Sequence, residues 1–106
     1  MKMYVIFVAT GRELKIYREL KKRGFNVILP QKNEVGKSGK TFKKVIFPNY
    51  LFLKCDLTQE IYCEICRIRS VKYFLGFYPG GVPFLPRNEQ KYIEKWRKNE
   101  VGRPEN

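Results

Sequence analysis

The stretch KKVIFPNYLFLKC, residues 43–55, decides how this sequence folds, because it has the composition of a strand and breaks the rules of one. A strand with one face on a core and the other in water alternates apolar and polar side chains. Here Ile46, Phe47, Tyr50, Leu51, Phe52 and Leu53 run almost without a break, and Pro48 sits where a ladder hydrogen bond should form. An apolar run of this kind suits a strand buried on both faces, and a proline within it belongs at an edge or a bulge. Phe47 and Tyr50, three apart around Pro48-Asn49, could then project from the same rim.

Working outward, MYVIFVA (residues 3–9) is β-branched and aromatic and reads as another strand apolar on both faces. TGRE follows, and Thr10 with Glu13 has the spacing of a capping box that opens a helix. Leu14, Ile16, Tyr17 and Leu20 form its buried stripe, and Gly24 stops it at a left-handed cap. FNVILP is a short second strand ending at Pro30. Residues 31–44, QKNEVGKSGKTFKK, carry five lysines against one glutamate and read as a mobile basic hairpin loop. The opening stretch is the third strand, ending at Asp56. Asp56 or Thr58 caps a second helix with Ile61, Ile65 and Ile68 on one side. VKYFLGF is a fourth strand, YPGGVPFLP a turn-rich connection, and NEQKYIEKWRK a third helix packing Tyr92, Ile93 and Trp96. The order β-α-β-β-α-β-α predicts an α+β fold: a four-stranded antiparallel sheet with flanking helices, related to the ferredoxin-like pattern. The first two helices cover one sheet face. The other either stays open, leaving an apolar patch of the kind that marks a binding surface, or is closed by the third helix.

A chain of 106 residues is one domain by length. Its net charge of +12 makes nucleic acid or an acidic membrane the natural partner. The excess is uneven: residues 1–29 carry +5, residues 30–44 carry +4, and the remainder only +3. No apolar segment approaches membrane-spanning length, so the expectation is a cytoplasmic protein with no membrane partner. The apolar start is short and is followed at once by Arg12 and Glu13, which suits a strand better than a leader. With no histidine and no phosphate-cradling glycine loop, nothing assembles into an acid, base or nucleophile, and no enzyme, metal or cofactor is expected. Cys63-x-x-Cys66 lies inside a helical pattern rather than at a helix start. It reads, with Cys55, as reduced thiols acting as small hydrophobes.

Taken in order, these segments resemble the N-terminal (NGN) domain of the NusG family of transcription elongation factors. IFPNYLFLK is similar to the family's FPGY-type strand, YVIFVATGRE to its opening strand and Gly-x-Glu helix start, and VILP to its second strand. RSVKYFLGF is similar to the strand that closes the sheet, and GGVPFLPRNEQKYIEKW to its Pro-rich turn and last helix. The resemblance spans residues 3–98. Departures are Met3 for a usual tryptophan, Asn49 for the FPGY glycine, Ser70 for a glycine and Pro86 for a serine cap. Asn tolerates left-handed dihedrals better than most residues, so the turn at Asn49 can survive.

The resemblance implies an RNA-polymerase-binding domain over residues 1–98. Residues 99–106 would begin a linker to a C-terminal KOW domain. Its partners would be the clamp helices of the polymerase's largest subunit and a loop on the opposite pincer, bridged to favour the processive enzyme and suppress pausing or termination. It implies docking through Phe47, Pro48 and Tyr50, with Tyr4, Ile6 and Phe52 lining the patch, and Ile61 and Tyr62 toward the opposite pincer. Specialised members such as RfaH and LoaP read nucleic acid with the first helix and the end of the second. The matching residues are Arg12, Lys15, Arg18, Lys22, Arg67 and Arg69. The net charge favours such a specialised member, a monomer that contacts an RNA hairpin or the single-stranded non-template DNA. A stand-alone RRM-like RNA-binding module is the alternative, although FPNYLFL lacks that motif's Gly-Phe-x-Phe character and a mid-strand proline would spoil its stacking platform.

Overall fold

The computed structural model describes residues 1–75 and 83–97. The chain runs β1 (Lys2–Val8), α1 (Glu13–Lys22), β2 (Asn26–Ile28), β3 (Gln31–Val35), β4 (Thr41–Val45), β5 (Tyr50–Cys55), α2 (Gln59–Cys66), β6 (Val71–Phe74) and α3 (Arg87–Glu94). The main sheet is four-stranded and antiparallel in the order β2-β5-β1-β6, with β3 and β4 forming a separate two-stranded ribbon. The expected α+β architecture is therefore present. The linker expected at residues 99–106, most of the glycine-rich turn before Pro83 and the end of the VKYFLGF segment lie outside the described residues.

The opening stretch is not one strand. Its first residues end β4, Ile46–Asn49 form a bend, and Tyr50 starts β5. Pro48 thus never enters a ladder, which removes the conflict between its missing N–H and a central strand. The bend is held by Asn49, whose φ is +76°. Its backbone N–H donates to Glu13 Oε2 at 2.8 Å, and its side-chain amide donates to the Val8 carbonyl at 3.0 Å and Thr10 Oγ1 at 2.9 Å.

Those bonds also correct the capping box. The residue preceding α1 is Arg12, with no side-chain cap, while Thr10 and Glu13 are turned toward Asn49. Both side chains had the spacing for a cap, but an orphan N–H in the bend engages the carboxylate instead. The C-terminal end is as expected: Gly24 adopts φ +90°, and the Phe25 N–H returns to the Leu20 carbonyl. At α2 it is Thr58 that caps, its hydroxyl accepting from the Ile61 N–H at 3.2 Å.

Residues 31–44 are not a mobile loop. β3 and β4 pair from Gln31↔Val45 to Val35↔Thr41, and the Ile46 N–H donates to the Pro30 carbonyl to close the base. Glu34 lies between Lys32 and Lys44, at 3.8 and 3.7 Å, so the ribbon's single acid is shared by two of its lysines.

Strand alternation assigns every side chain of the sheet to a face. Tyr4, Ile6, Val8, Leu51, Leu53, Val27 and Phe74 point toward α1 and α2 and pack with Ile16, Tyr17, Leu20 and Ile65. Met3, Ile28 and Phe52 point the other way, to Ile93 of α3, with Val5, Phe47, Tyr50 and Leu85 around them.

Candidate docking face and basic cleft

On the α3 side, cross-strand pairing lays the residues in rows. Met3 sits opposite Lys54, and Asn26 lies beyond it; Val5 sits opposite Phe52, with Ile28 beyond. Phe7 sits opposite both Tyr50 and Tyr73. Helix α3 covers the first two rows. Glu94 accepts from Lys54 at 3.1 Å and from Arg97 at 2.7 Å, and Arg97 donates to the Asn26 side chain at 2.8 Å. Arg97 and Lys54 hold the Glu94 carboxyl below the usual carboxylate range. Of the two readings of this face left open by the sequence, closure by the third helix describes its Met3 and Phe52 end.

Among the described residues no helix lies over the third row. Phe7 stacks on Tyr73 with centroids 5.0 Å apart and meets Tyr50 edge-on at 5.5 Å. Phe47 leans edge-on against Phe52 at 5.6 Å, bringing the bend onto the same face. Tyr73 is 47% exposed, while Phe7, Phe47 and Tyr50 are half-buried and Pro48 is exposed. The patch expected around Phe47 and Tyr50 is therefore assembled, but two of its expected members are elsewhere. Tyr4 and Ile6 face the helix-covered core at 6% and 0% exposure, because their parity on β1 is opposite to that of Phe7. Val5 and Phe7 occupy the places assigned to them, and Tyr73, which the sequence did not single out, completes the row. Phe52 is on the correct face but buried under α3. Ile61 and Tyr62 are half-buried beside the core, with the Tyr62 ring 5.0 Å from Phe74.

A cationic cleft lies on the opposite side. The Ala9 N–H donates to the Ser70 carbonyl at 2.8 Å, and Ser70 has φ +79°, so the turn after α2 is drawn beside the start of α1. Between them lies a cleft of about 350 Å³ lined by Arg12, Lys15, Ile16, Glu19, Ile68, Arg69 and Ser70. A second depression of about 360 Å³ runs along α1 past Leu14, Lys15, Arg18, Glu19 and Lys22. Arg12, Lys15 and Arg69 thus converge, Arg18 and Lys22 extend the track, and exposed Arg67 lines neither cleft. Arg23 bridges Glu19 at 2.7 Å and Glu64 at 3.2 Å, tying α1 to α2 and engaging Glu19, the acid among the cleft's lining residues. That bond lowers the Glu19 carboxyl and raises Arg23.

The cysteines are free and half-buried. Burial pushes the Cys55 and Cys66 thiols up, away from the thiolate that nucleophilic chemistry needs. Among the described residues no helix is long and apolar enough to cross a membrane.

A family model described as transcription termination factor NusG matches residues 1–97. The transcription termination/antitermination protein NusG of Chlamydia trachomatis serovar D is 34% identical, over 84% of this chain and 54% of that protein. Its counterpart in Chlamydia muridarum matches with the same figures. The chain thus spans about half the length of these curated relatives. Among solved structures, one of Thermotoga maritima NusG, described by its domain interaction, superposes with a TM-score of 0.68 at 19% identity. It covers 96% of this chain and 60% of that one, which shows a shared fold. With the family model matched along nearly the whole chain, this protein belongs to the NusG family of transcription termination and antitermination factors.

Proposed function

We propose that this chain is a transcription elongation and antitermination domain that docks on RNA polymerase through the uncovered row Phe7, Tyr50 and Tyr73, with Phe47 and Pro48 at its edge. The observation that carries the reading is that row: three aromatic side chains in mutual contact on a sheet face, with no helix over them among the described residues. Aromatic side chains that can be desolvated in a pocket dominate interface energy, and leaving such a row in water otherwise gains nothing. The fit is to an apolar helical surface, such as the clamp helices of the largest subunit. Ile61 and Tyr62 at the start of α2 lie toward the opposite pincer. There is no bond chemistry in this function. The domain acts by binding one conformational state of the polymerase better than another, which favours the closed, processive enzyme.

The cleft of Arg12, Lys15 and Arg69 supports a second contact, to an RNA hairpin or to the single-stranded non-template DNA, as in a specialised member of the family. Arginines there neutralise phosphates, pair with guanine edges or stack on splayed bases.

A single-round elongation assay with a bacterial RNA polymerase on a template with a defined pause tests the reading. The wild-type chain should shorten the pause, and Phe7→Ala with Tyr50→Ala should abolish the effect. Arg12→Ala with Arg69→Ala should remove only the part that depends on the nucleic-acid element. A double aromatic variant that folds and retains full pause suppression overturns the docking assignment.

A further inference from the structure

Helix α3 carries a second cationic surface, separate from the α1 cleft and on the other side of the sheet. Arg87, Lys91 and Lys95 follow one another at successive helical turns and, with Lys54, Gln90 and Glu94, line an open groove of about 500 Å³. Their charges have few partners of their own. Lys54 is taken by Glu94 at 3.1 Å. Lys95 lies over the Tyr92 ring at 5.0 Å, an interaction that leaves its charge in place. The side chains of Arg87 and Lys91 have neither a hydrogen bond nor an ion pair among the described residues.

The stripe runs against what an isolated helix would select. Like charges one turn apart repel, and each such pair costs a few tenths of a kcal/mol, roughly 0.2–0.5. Arg87 is the first residue of α3, where the helix dipole disfavours a cation, and Pro86 before it offers no side-chain cap. Glu89 and Glu94, the acids of α3, do not break the stripe: Glu94 is engaged by Lys54 and Arg97. The helix is nevertheless held firmly. Gln90 donates its amide to the Leu85 carbonyl at 2.7 Å, and the Leu85 N–H donates to the Met3 carbonyl at 2.8 Å. Ile93 anchors the buried side. A rigidly mounted row of uncompensated cations is a local cost that an external polyanion would relieve.

From this placement we infer that the α3 stripe binds the phosphodiester backbone of nucleic acid without reading its sequence. Two of the three stripe cations are point-charged lysines, and the groove's lining residues hold no aromatic platform for stacking bases, so the contact is to phosphates. It adds a non-specific hold to whatever the α1 cleft recognises.

The test is fluorescence anisotropy of labelled single-stranded DNA, single-stranded RNA and B-form duplex across a salt series. The wild-type chain is compared with Arg87→Gln/Lys91→Gln/Lys95→Gln, alone and in an Arg12→Ala/Arg69→Ala background. The logarithmic salt slope should fall by about 2–3 when three phosphate contacts are removed, at roughly 0.7–0.9 per contact. Affinity at low salt should drop on the order of tenfold or more on every probe alike, and the loss should persist in the arginine background. The melting temperature of the triple variant should stay level or rise, because repulsion has been removed; should that variant fail to fold, Lys91→Gln alone should lower the slope by about 1. Unchanged affinity and slope in a folded variant overturn the inference. Competition by poly-glutamate as effective as by nucleic acid of matched charge also overturns it, in favour of an acidic protein surface.

Discussion

Along β1, Tyr4, Ile6 and Val8 point under α1 and α2 and are almost fully buried, while Val5 and Phe7, alternating with them, point the other way and stay partly in water. Both sets are apolar, and both sit on the same strand. What separates them is the cover: two helices close one face from end to end, whereas the short α3 closes only the Met3 and Phe52 end of the other. Burial is therefore not a property of these residues but of what packs over them. The half cover seen among the described residues is what the proposed docking surface requires.

The sharpest way to break this contrast is to truncate one residue on each face. Ile6→Ala or Leu53→Ala should cost about 2–5 kcal/mol in a urea titration, because each empties a fully packed site. Phe7→Ala, a larger deletion, should cost less, of order 1–2 kcal/mol, since it loses mainly its contacts with Tyr50 and Tyr73. Equal costs on the two faces would mean that the aromatic row is ordinary core.

Next in size is the bend that turns Phe47 and Tyr50 onto the open face. Asn49→Ala should destabilise by about 2 kcal/mol, combining left-handed strain of roughly 1–2 kcal/mol with loss of two side-chain bonds of about 0.5–1.5 kcal/mol each, partly offset by local relaxation. Asn49→Gly should cost less than the alanine change, because it relieves the strain and loses only the bonds. If glycine is as damaging as alanine, the positive φ is not what Asn49 supplies.

The smallest expected effect concerns the cover itself. Lys54 and Arg97 hold the Glu94 carboxyl below its ordinary range. A carboxylate with a depressed folded pKa contributes stability above its unfolded pKa and loses it as pH falls through the folded one. Glu94→Gln should therefore lose less than about 1 kcal/mol at neutral pH, with the difference from wild type vanishing in the acid limb of a pH–stability profile. A gap that persists in acid would assign the loss to packing rather than to charge.

How much of this was legible in the sequence depended on whether a pattern had one physical reading. The order of the four main-sheet strands and three helices, the left-handed Gly24 and the tolerance for positive φ at Asn49 were legible, the last two because few residues can satisfy those positions. The face of Tyr4 and Ile6 was not: a strand apolar on both sides carries no parity signal, so Phe7 and Tyr4 looked equally fit for the patch. The Thr10 to Glu13 spacing fitted a cap, but the partner that engages both side chains, Asn49, is 36 residues away from Glu13. The lysine-rich ribbon read as a loop because its strands have almost no apolar face, with Phe42 about half exposed. The α3 stripe was hidden by counting: its segment of the chain is nearly balanced in net charge, yet four cations and a single acid, Glu94, line the α3 groove. Charge per segment cannot report charge per face.

The most direct test of the central claim is an aromatic-resolved NMR titration of the chain with a soluble fragment containing the clamp helices of a bacterial RNA polymerase. The ring signals of Phe7, Tyr50 and Tyr73 should shift together with a common affinity, while those of Tyr4 and Tyr17, on the covered face, stay in place. Shifts confined to Tyr4, Tyr17 or the α1 cleft, with the open row silent, would contradict it.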